Sequence, residues 1–375
     1  MLDLSRQYAR LRDEILAAIE RVCASQHFIL GEEVEALEQE VAAFTGAAHA
    51  VGCASGTDAL WLALAAAGVQ PGDAVITTPF SFFASASAIV RAGARPVLID
   101  IDPNTLNLNP SQVDVYLRSG QSHRLRALLP VHLYGQCADL DAFQRLADEF
   151  QLSLVEDAAQ AIGASWRNRG AGSFGVAAAF SFYPSKNLSA YGDAGMVTTQ
   201  SPEFAEHMRR LRNHGSLRRY LHEELGWNSR LDAIQAAVLR VKLPHVSTWN
   251  RQRRERAATY DRLLAQVGLL SATADSPVRV LATSPPAHHV YHQYVIRAQR
   301  RDELRNFLAD RKIGSEVYYP FPLHLQPAFA YLGYAEGDLP ESERAAREVL
   351  ALPMFPELTE DEQQWVVESL AEFYS

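Results

Sequence analysis

Through the first half of this chain, short apolar runs alternate with longer stretches whose apolar residues recur every three or four positions. The runs at 48–53, 74–77, 96–99, 126–131, 152–155, 176–182 and 196–199 are rich in Val, Ile, Leu and Ala, and they predict buried strands. Between them, the stretch from Thr57 and those at 84–91 and 140–150 carry the helical period. Strands separated by such helices predict a mainly parallel α/β sheet, covered by helices on both faces. Two amphipathic helices follow at 231–242 and 246–266, broken at Pro244, the second with Arg concentrated on one side. The pattern then changes to a strand at 290–296, a helix at 301–311, a turn-rich stretch at 319–327 and helices at 341–350 and 359–374. The predicted division therefore puts residues 1–248, with their N-terminal helices, in a large domain and residues 249–375 in a smaller α+β domain.

A chain of 375 residues, 48% hydrophobic and 21% charged, has enough apolar surface for both units and is neither disordered nor fibrous. Its longest apolar stretches, 61–69 and 176–182, fall far short of the roughly 20 residues that cross a membrane. Residues 1–15 lack the apolar core and cleavage site of a signal peptide, so the expectation is no membrane partner and a cytoplasmic location. A net charge of −9 and a pI near 5.8 give no field that would gather nucleic acid. Cys23, Cys53 and Cys137 form no CxxC or Cys/His pattern, which predicts reduced thiols and neither a disulfide framework nor a metal site. The run Arg209, Arg210, Arg212, Arg218 and Arg219 is either a solvated helix face or a local anion site.

Ligands of open α/β sheets lie beyond the carboxyl ends of the strands, and three motifs fall there. Ser55-Gly56-Thr57-Asp58-Ala59 follows a strand and opens a helix, so its N–H groups suit either a phosphate or an ordinary serine cap. Asp157 ends an apolar strand, where a carboxylate needs a cationic or hydrogen-bonding partner unless it caps a helix from Ala158 onward. Lys186, in Tyr183-Pro184-Ser185-Lys186-Asn187, follows another apolar strand, an environment that lowers an amine's pKa and leaves it nucleophilic. His214 and His324 are expected to be hydrogen-bonded structural residues.

A phosphate cup, a strand-end carboxylate and a turn lysine, in this order, resemble the PLP-dependent nucleotide-sugar aminotransferases, the DegT-like branch of the type I aminotransferase fold. The likeness runs from Gly31-Glu32-Glu33-Val34 through Gly56-Thr57-Asp58-Ala59, Glu156-Asp157-Ala158-Ala159-Gln160, Ser181 to Lys186 and Gly226-Trp227-Asn228-Ser229-Arg230 to Leu352-Pro353-Met354. The resemblance implies that Lys186 carries pyridoxal 5'-phosphate (PLP) through a Schiff base and moves protons, while Asp157 pairs with the cofactor's pyridinium nitrogen. It further implies that Gln160 bonds the phenolic oxygen, that Phe82 stacks on the ring, and that Gly56, Thr57 and Ser181 hold the phosphate. Asn228 of the partner subunit would complete that cup in a homodimer with composite sites. Arg230 and Tyr319 would help hold the substrate; relatives often carry His-Tyr-Pro where this chain has Tyr318-Tyr319-Pro320.

The implied reaction moves an amino group from glutamate to a keto sugar on UDP or dTDP. Family members acting at carbon 3 resemble this chain in Asn228-Ser229-Arg230-Leu231-Asp232, Gln235-Ala236-Ala237 and Lys242-Leu243, whereas those acting at carbon 4 tend to read Asn-Tyr-Arg-Met. A 3-keto hexose or hexuronate is therefore expected, with a UDP-linked 2-acetamido-3-keto uronic acid leading. The alternatives are a 4-keto sugar aminotransferase, a lyase or dehydratase of the same fold, and a non-catalytic regulatory protein; dehydratase relatives carry His where this chain has Lys186.

Overall fold

The computed structural model describes residues 1–120, 124–270 and 276–375. At its centre is a seven-stranded sheet; named by their first residues, the strands lie in the order His49, Gly195, Ala177, Ser153, Leu125, Ala74, Arg95. Six run parallel, and Gly195–Thr199 alone is reversed, antiparallel to both neighbours. Strand periodicity feeds two apolar layers. Ala177 and Ala179 pack with Leu60, Leu62 and Ile89 of the helices Gly56–Ala66 and Ala84–Arg91 on one face. Ala178 and Phe180 pack with Leu37, Val41 and Leu239 on the other, under the helices Glu32–Thr45 and Ala233–Lys242.

A second, three-stranded antiparallel sheet is formed by Val278–Val280, Tyr294–Ala298 and Val349–Leu352. Its core includes Tyr260 and Leu264 of the helix Val246–Gln266 and Val366 and Leu370 of the helix Glu360–Tyr374. Phe80, Leu133 and Tyr134 from the large sheet's loops enter the same core, so the small unit is seated directly on the strand ends where the motifs lie. The division at 248/249 falls in the first turn of the continuous helix Val246–Gln266. Leu243–His245 forms a 3-10 turn at Pro244, the break expected there.

Some elements differ from the sequence pattern. The strand expected at 290–296 begins at Tyr294, because Val290 to Gln293 bond instead with Gly135, Asn187 and Tyr134. The helix expected to reach residue 350 ends at Glu348, and Val349–Leu352 pairs with Tyr294–Ala298; four apolar residues fit either period, and the available ladder decides. The helix Pro110–Arg118 has only a short apolar stripe, Val113 fully buried with Tyr116 and Leu117 packed beside it; Asn109 caps it and Pro110 lies in its first turn.

The helix Pro340–Glu348 has no cap of its own. Instead the buried Asp100 carboxylate, beyond the end of the strand Arg95–Leu98, accepts from Glu341 N at 2.8 Å and from Ser342 N and Oγ at 2.9 and 2.5 Å. The small unit is thereby fastened to the large sheet at a helix N-terminus, where negative charge is favoured.

Candidate active site

Asp157 is the last residue of the strand Ser153–Asp157, is 3% exposed, and is paired with Ala179 on the neighbouring strand. Its backbone is bracketed by Pro130 O and His132 N, both at 3.0 Å, and no helix follows it, so the cap reading fails. One carboxylate oxygen accepts from Ser85 Oγ at 2.7 Å and the other from Ala159 N at 3.2 Å. No cation among the described residues makes an ion pair with it. Burial raises its pKa, against the pull of the two donors and the more distant field of Lys186. A buried carboxylate aimed at the strand ends without an ionic partner fits a cationic ring nitrogen.

Lys186 follows the adjacent strand Ala177–Ser181 and is half-buried. Desolvation pulls its pKa down to about 8, partly opposed by Asp157, so its neutral fraction at neutral pH is far larger than that of an unburied lysine. Burial and the Lys186 charge together hold His292 well below the ordinary histidine range. His292 Nδ1 lies 3.2 Å from the amide oxygen of Asn187, the next residue after Lys186.

Gly56 opens the helix Gly56–Ala66, which Ser55 caps by accepting from Asp58 N at 3.1 Å. A β-carbon at Gly56 would stand 2.5 Å from Ser181 Cβ, so only glycine lets the helix start and strand end close into a cup. The first N–H groups of that helix have no acceptor within it, which suits a phosphate flanked by Thr57 and Ser181. Gln160 is occupied on its oxygen, which accepts from Tyr134 N at 2.6 Å, and its Nε2 donates to Tyr319 Oη at 3.0 Å, leaving one amide hydrogen for a ligand. Tyr134 Oη donates to Tyr318 O, so the small unit's Tyr319 is drawn to the large sheet's site. Phe82 is 59% exposed at this mouth, 6.3 Å from the Tyr319 ring, an open apolar face suited to covering a flat ring.

Asn228 and Arg230 line a cavity of about 530 Å³ with Ile29, Ala54, Gly192, Asp193, Asp232 and Gln235, a lining that includes neither Lys186 nor Asp157. Ser229 between them donates to Asp58 Oδ2 at 2.8 Å, and Arg230 donates to Asn213 at 3.2 Å. Asn228 itself is exposed.

The arginine run is not one face. Arg212 is buried against Glu38 and Gly52 O, Arg210 pairs with Glu224, and Arg218 and Arg219 are exposed. His324 is buried against Glu343 at 3.1 Å, as a structural histidine. Cys23, Cys53 and Cys137 are free thiols, and no metal-holding cluster occurs among the described residues. No helix among them is long and apolar enough to cross a membrane. Sequence reasoning missed Ser85, whose hydroxyl also meets Ser81 at 2.9 Å; a serine in a Ser/Ala-rich helix reads as surface. It also missed the buried His132–Glu156 pair, 2.9 Å apart, in which Glu156 accepts from Gly172 N and Phe174 N directly beside Asp157.

The profile of the DegT/DnrJ/EryC1/StrS aminotransferase family matches residues 9–371. A "Pleiotropic regulatory protein" of Geobacillus stearothermophilus is 53% identical over 375 residues, 100% of this chain and 98% of that one. A dTDP-3-amino-3,4,6-trideoxy-alpha-D-glucose transaminase of Streptomyces venezuelae is 45% identical, covering 99% and 95%. A UDP-N-acetyl-3-dehydro-alpha-D-glucosamine 3-aminotransferase of Acidithiobacillus ferrooxidans is 44% identical, covering 96% and 94%. The crystal structure of S. venezuelae DesV in complex with a ketimine intermediate superposes with a TM-score of 0.94 at 45% identity, covering 99% of this chain and 97% of that one.

Proposed function

This chain belongs to the DegT/DnrJ/EryC1/StrS aminotransferase family, and from that premise we propose that it moves an amino group from glutamate to carbon 3 of a keto sugar carried on UDP or dTDP. Its cofactor is pyridoxal phosphate, which supplies the carbonyl that exchanges amino groups and a protonated ring that withdraws electrons. The observation that carries the reading is Asp157, buried, hydrogen-bonded by Ser85 and Ala159, and lacking an ionic partner beside the lowered-pKa amine of Lys186.

In this reading Lys186 Nζ holds the cofactor and afterwards takes and returns the proton that moves during transamination, a task suited to an amine titrating near neutrality. Asp157 keeps the ring nitrogen protonated, and Ser85 orients its carboxylate. Gln160 donates its free amide hydrogen to the phenolic oxygen, Phe82 covers the ring, and Gly56, Thr57 and Ser181 receive the phosphate. Tyr319, held by Gln160, faces the substrate. Asn228 and Arg230 serve the partner's site, which makes the active unit a homodimer. Support comes from their separate cavity and from the exposed apolar Leu217, Tyr220, Leu221 and Leu225 beside them, surface that a partner would cover. The three free cysteines agree with a cytoplasmic location. The carbon-3 assignment is supported by the names of the relatives that share this chain's length.

A regulatory role is favoured by one observation, the name of the relative from G. stearothermophilus. One experiment separates the readings. Glutamate should bleach the visible band of the purified holoprotein, and a matched 3-keto nucleotide sugar should then restore it and acquire an amine at carbon 3, located by NMR. Amination of only the 4-keto isomer would overturn the regiochemistry, and no bleaching would overturn the enzyme.

A further inference from the structure

Lys186 lies near the start of a loop that connects Ala177–Ser181 to Gly195–Thr199 and has no helix or strand of its own. Such a loop does not fix an amine by itself. On one side Asn187 Nδ2 donates to Asn250 Oδ1 at 2.8 Å and to Val290 O at 3.2 Å. On the other side the helix Ala233–Lys242 grips it twice. Gln235 Oε1 accepts from Tyr191 N at 2.8 Å while its Nε2 donates to Tyr191 O at 3.2 Å, so one amide closes on both backbone groups of one residue. Lys242 Nζ donates to Ser189 O at 2.8 Å and Ser189 Oγ at 2.9 Å, and it lies 4.8 Å from the centre of the Tyr191 ring.

Gln235 and Lys242 are two turns apart on one helix face. Lys242 is 2% exposed, and a buried ammonium is costly unless its donors are met. Here two oxygens and an aromatic face meet them, and although burial pulls its pKa to about 8, it remains mostly charged at neutral pH. Gln235 and Lys242 act on the same stretch of the loop. Their hydrogen bonds all end on Ser189 and Tyr191. The helix they ride on is led by Asn228 to Asp232, the segment that carries Arg230.

We propose that Gln235 and Lys242 are positioning residues: they hold the Lys186 loop at a fixed register against the helix Ala233–Lys242, and so set where the Lys186 amine meets the carbonyl carbon it attacks. The inference rests on the functional reading above. Cofactor attachment tests it before any sugar is present. Lys186 Nζ adds to the aldehyde carbon of PLP, one water leaves, and the visible band appears; a 1 Å misplacement of such a nucleophile slows it strongly.

Apoprotein of the wild type, Gln235→Ala, Lys242→Met and Lys186→Ala is mixed with PLP. Total cofactor is followed by protein fluorescence, and attachment by the visible band and by borohydride trapping on the Lys186 peptide. The expected result is PLP affinity within about threefold of wild type in Gln235→Ala and Lys242→Met, with attachment slowed roughly tenfold or more. Should the buried Lys242→Met chain not fold, the half-buried Gln235→Ala decides alone. Attachment within twofold of wild type in the folded variants, or PLP affinity lost in proportion to attachment, overturns the inference. Absence of attachment in the wild type would instead overturn the functional reading, and Lys186→Ala defines that background.

Discussion

At the scale of single residues, the site contrasts a carboxyl that its surroundings discourage from ionising with an amine that they discourage from protonating. Because burial pulls Lys186 to about 8, PLP attachment to the apoprotein should accelerate as pH rises and level off above that value, not near the 10.5 of an unburied lysine. A rate plateau reached only above pH 10 would show that Lys186 is not desolvated; Lys186→Ala should abolish attachment and turnover while leaving the fold intact. Asp157 gives a paired expectation. Its raised pKa means that the fold favours the protonated carboxyl, so stability is lost as pH climbs through that value. Asp157→Asn removes this cost, and the PLP-free variant should melt no lower than wild type at neutral pH. Turnover should nevertheless fall by a factor on the order of 10² to 10³, because an amide cannot hold a proton on the ring nitrogen. Near-wild-type activity in this variant would remove Asp157 from the chemistry. The positions of both were legible in the sequence because Asp157 ends a strongly apolar run and Lys186 lies in the turn after another. Ser85 and His132 were not, since they reach Asp157 and its neighbour Glu156 from 72 and 24 residues earlier in the chain.

At the scale of elements, periodicity recovered the strands and helices that bury a continuous face, and it lost those whose state depends on a distant partner. The helices Ala84–Arg91, Leu140–Phe150 and Val246–Gln266 stand where their apolar spacing places them. Val349–Leu352 became a strand because Tyr294–Ala298 offered an edge, and no local signal carries that information. The cap of the helix Pro340–Glu348 was hidden in the same way, supplied by Asp100 some 240 residues earlier. Asp100→Ala leaves the N–H groups of Glu341 and Ser342 and the Ser342 hydroxyl without their acceptor, at a cost of about 1–3 kcal/mol. Asp100→Asn, which keeps one acceptor oxygen, should lose less. Denaturant unfolding checks both; equal stabilities for wild type and Asp100→Ala would mean that the cap does not join the two units.

At the scale of the whole molecule, the proposed homodimer would build each site from two chains. Lys186, Asp157 and the phosphate cup open at the strand ends, whereas Asn228 and Arg230 face a different cavity, mounted through Ser229 on Asp58 of their own chain. Beside them Leu225 is 96% exposed, with Leu217, Tyr220 and Leu221 also open to solvent, a density of apolar surface that an isolated chain rarely keeps. In a two-fold dimer each subunit gives the other the same segment, so a defect in Asn228 and a defect in Lys186 reside in different sites when they come from different chains. Asn228→Ala alone should weaken PLP binding in both sites of its homodimer. Lys186→Ala alone should be inactive. Equal mixing with full subunit exchange makes about half the dimers mixed, and each mixed dimer holds one intact site and one doubly defective site. At a PLP concentration that fills wild-type sites but leaves the Asn228→Ala homodimer largely empty, about one quarter of wild-type activity should therefore reappear. If Asn228 served its own chain, every site in the mixture would keep a defect, and activity would stay at the average of the two parents even with mixed dimers demonstrated by native mass spectrometry.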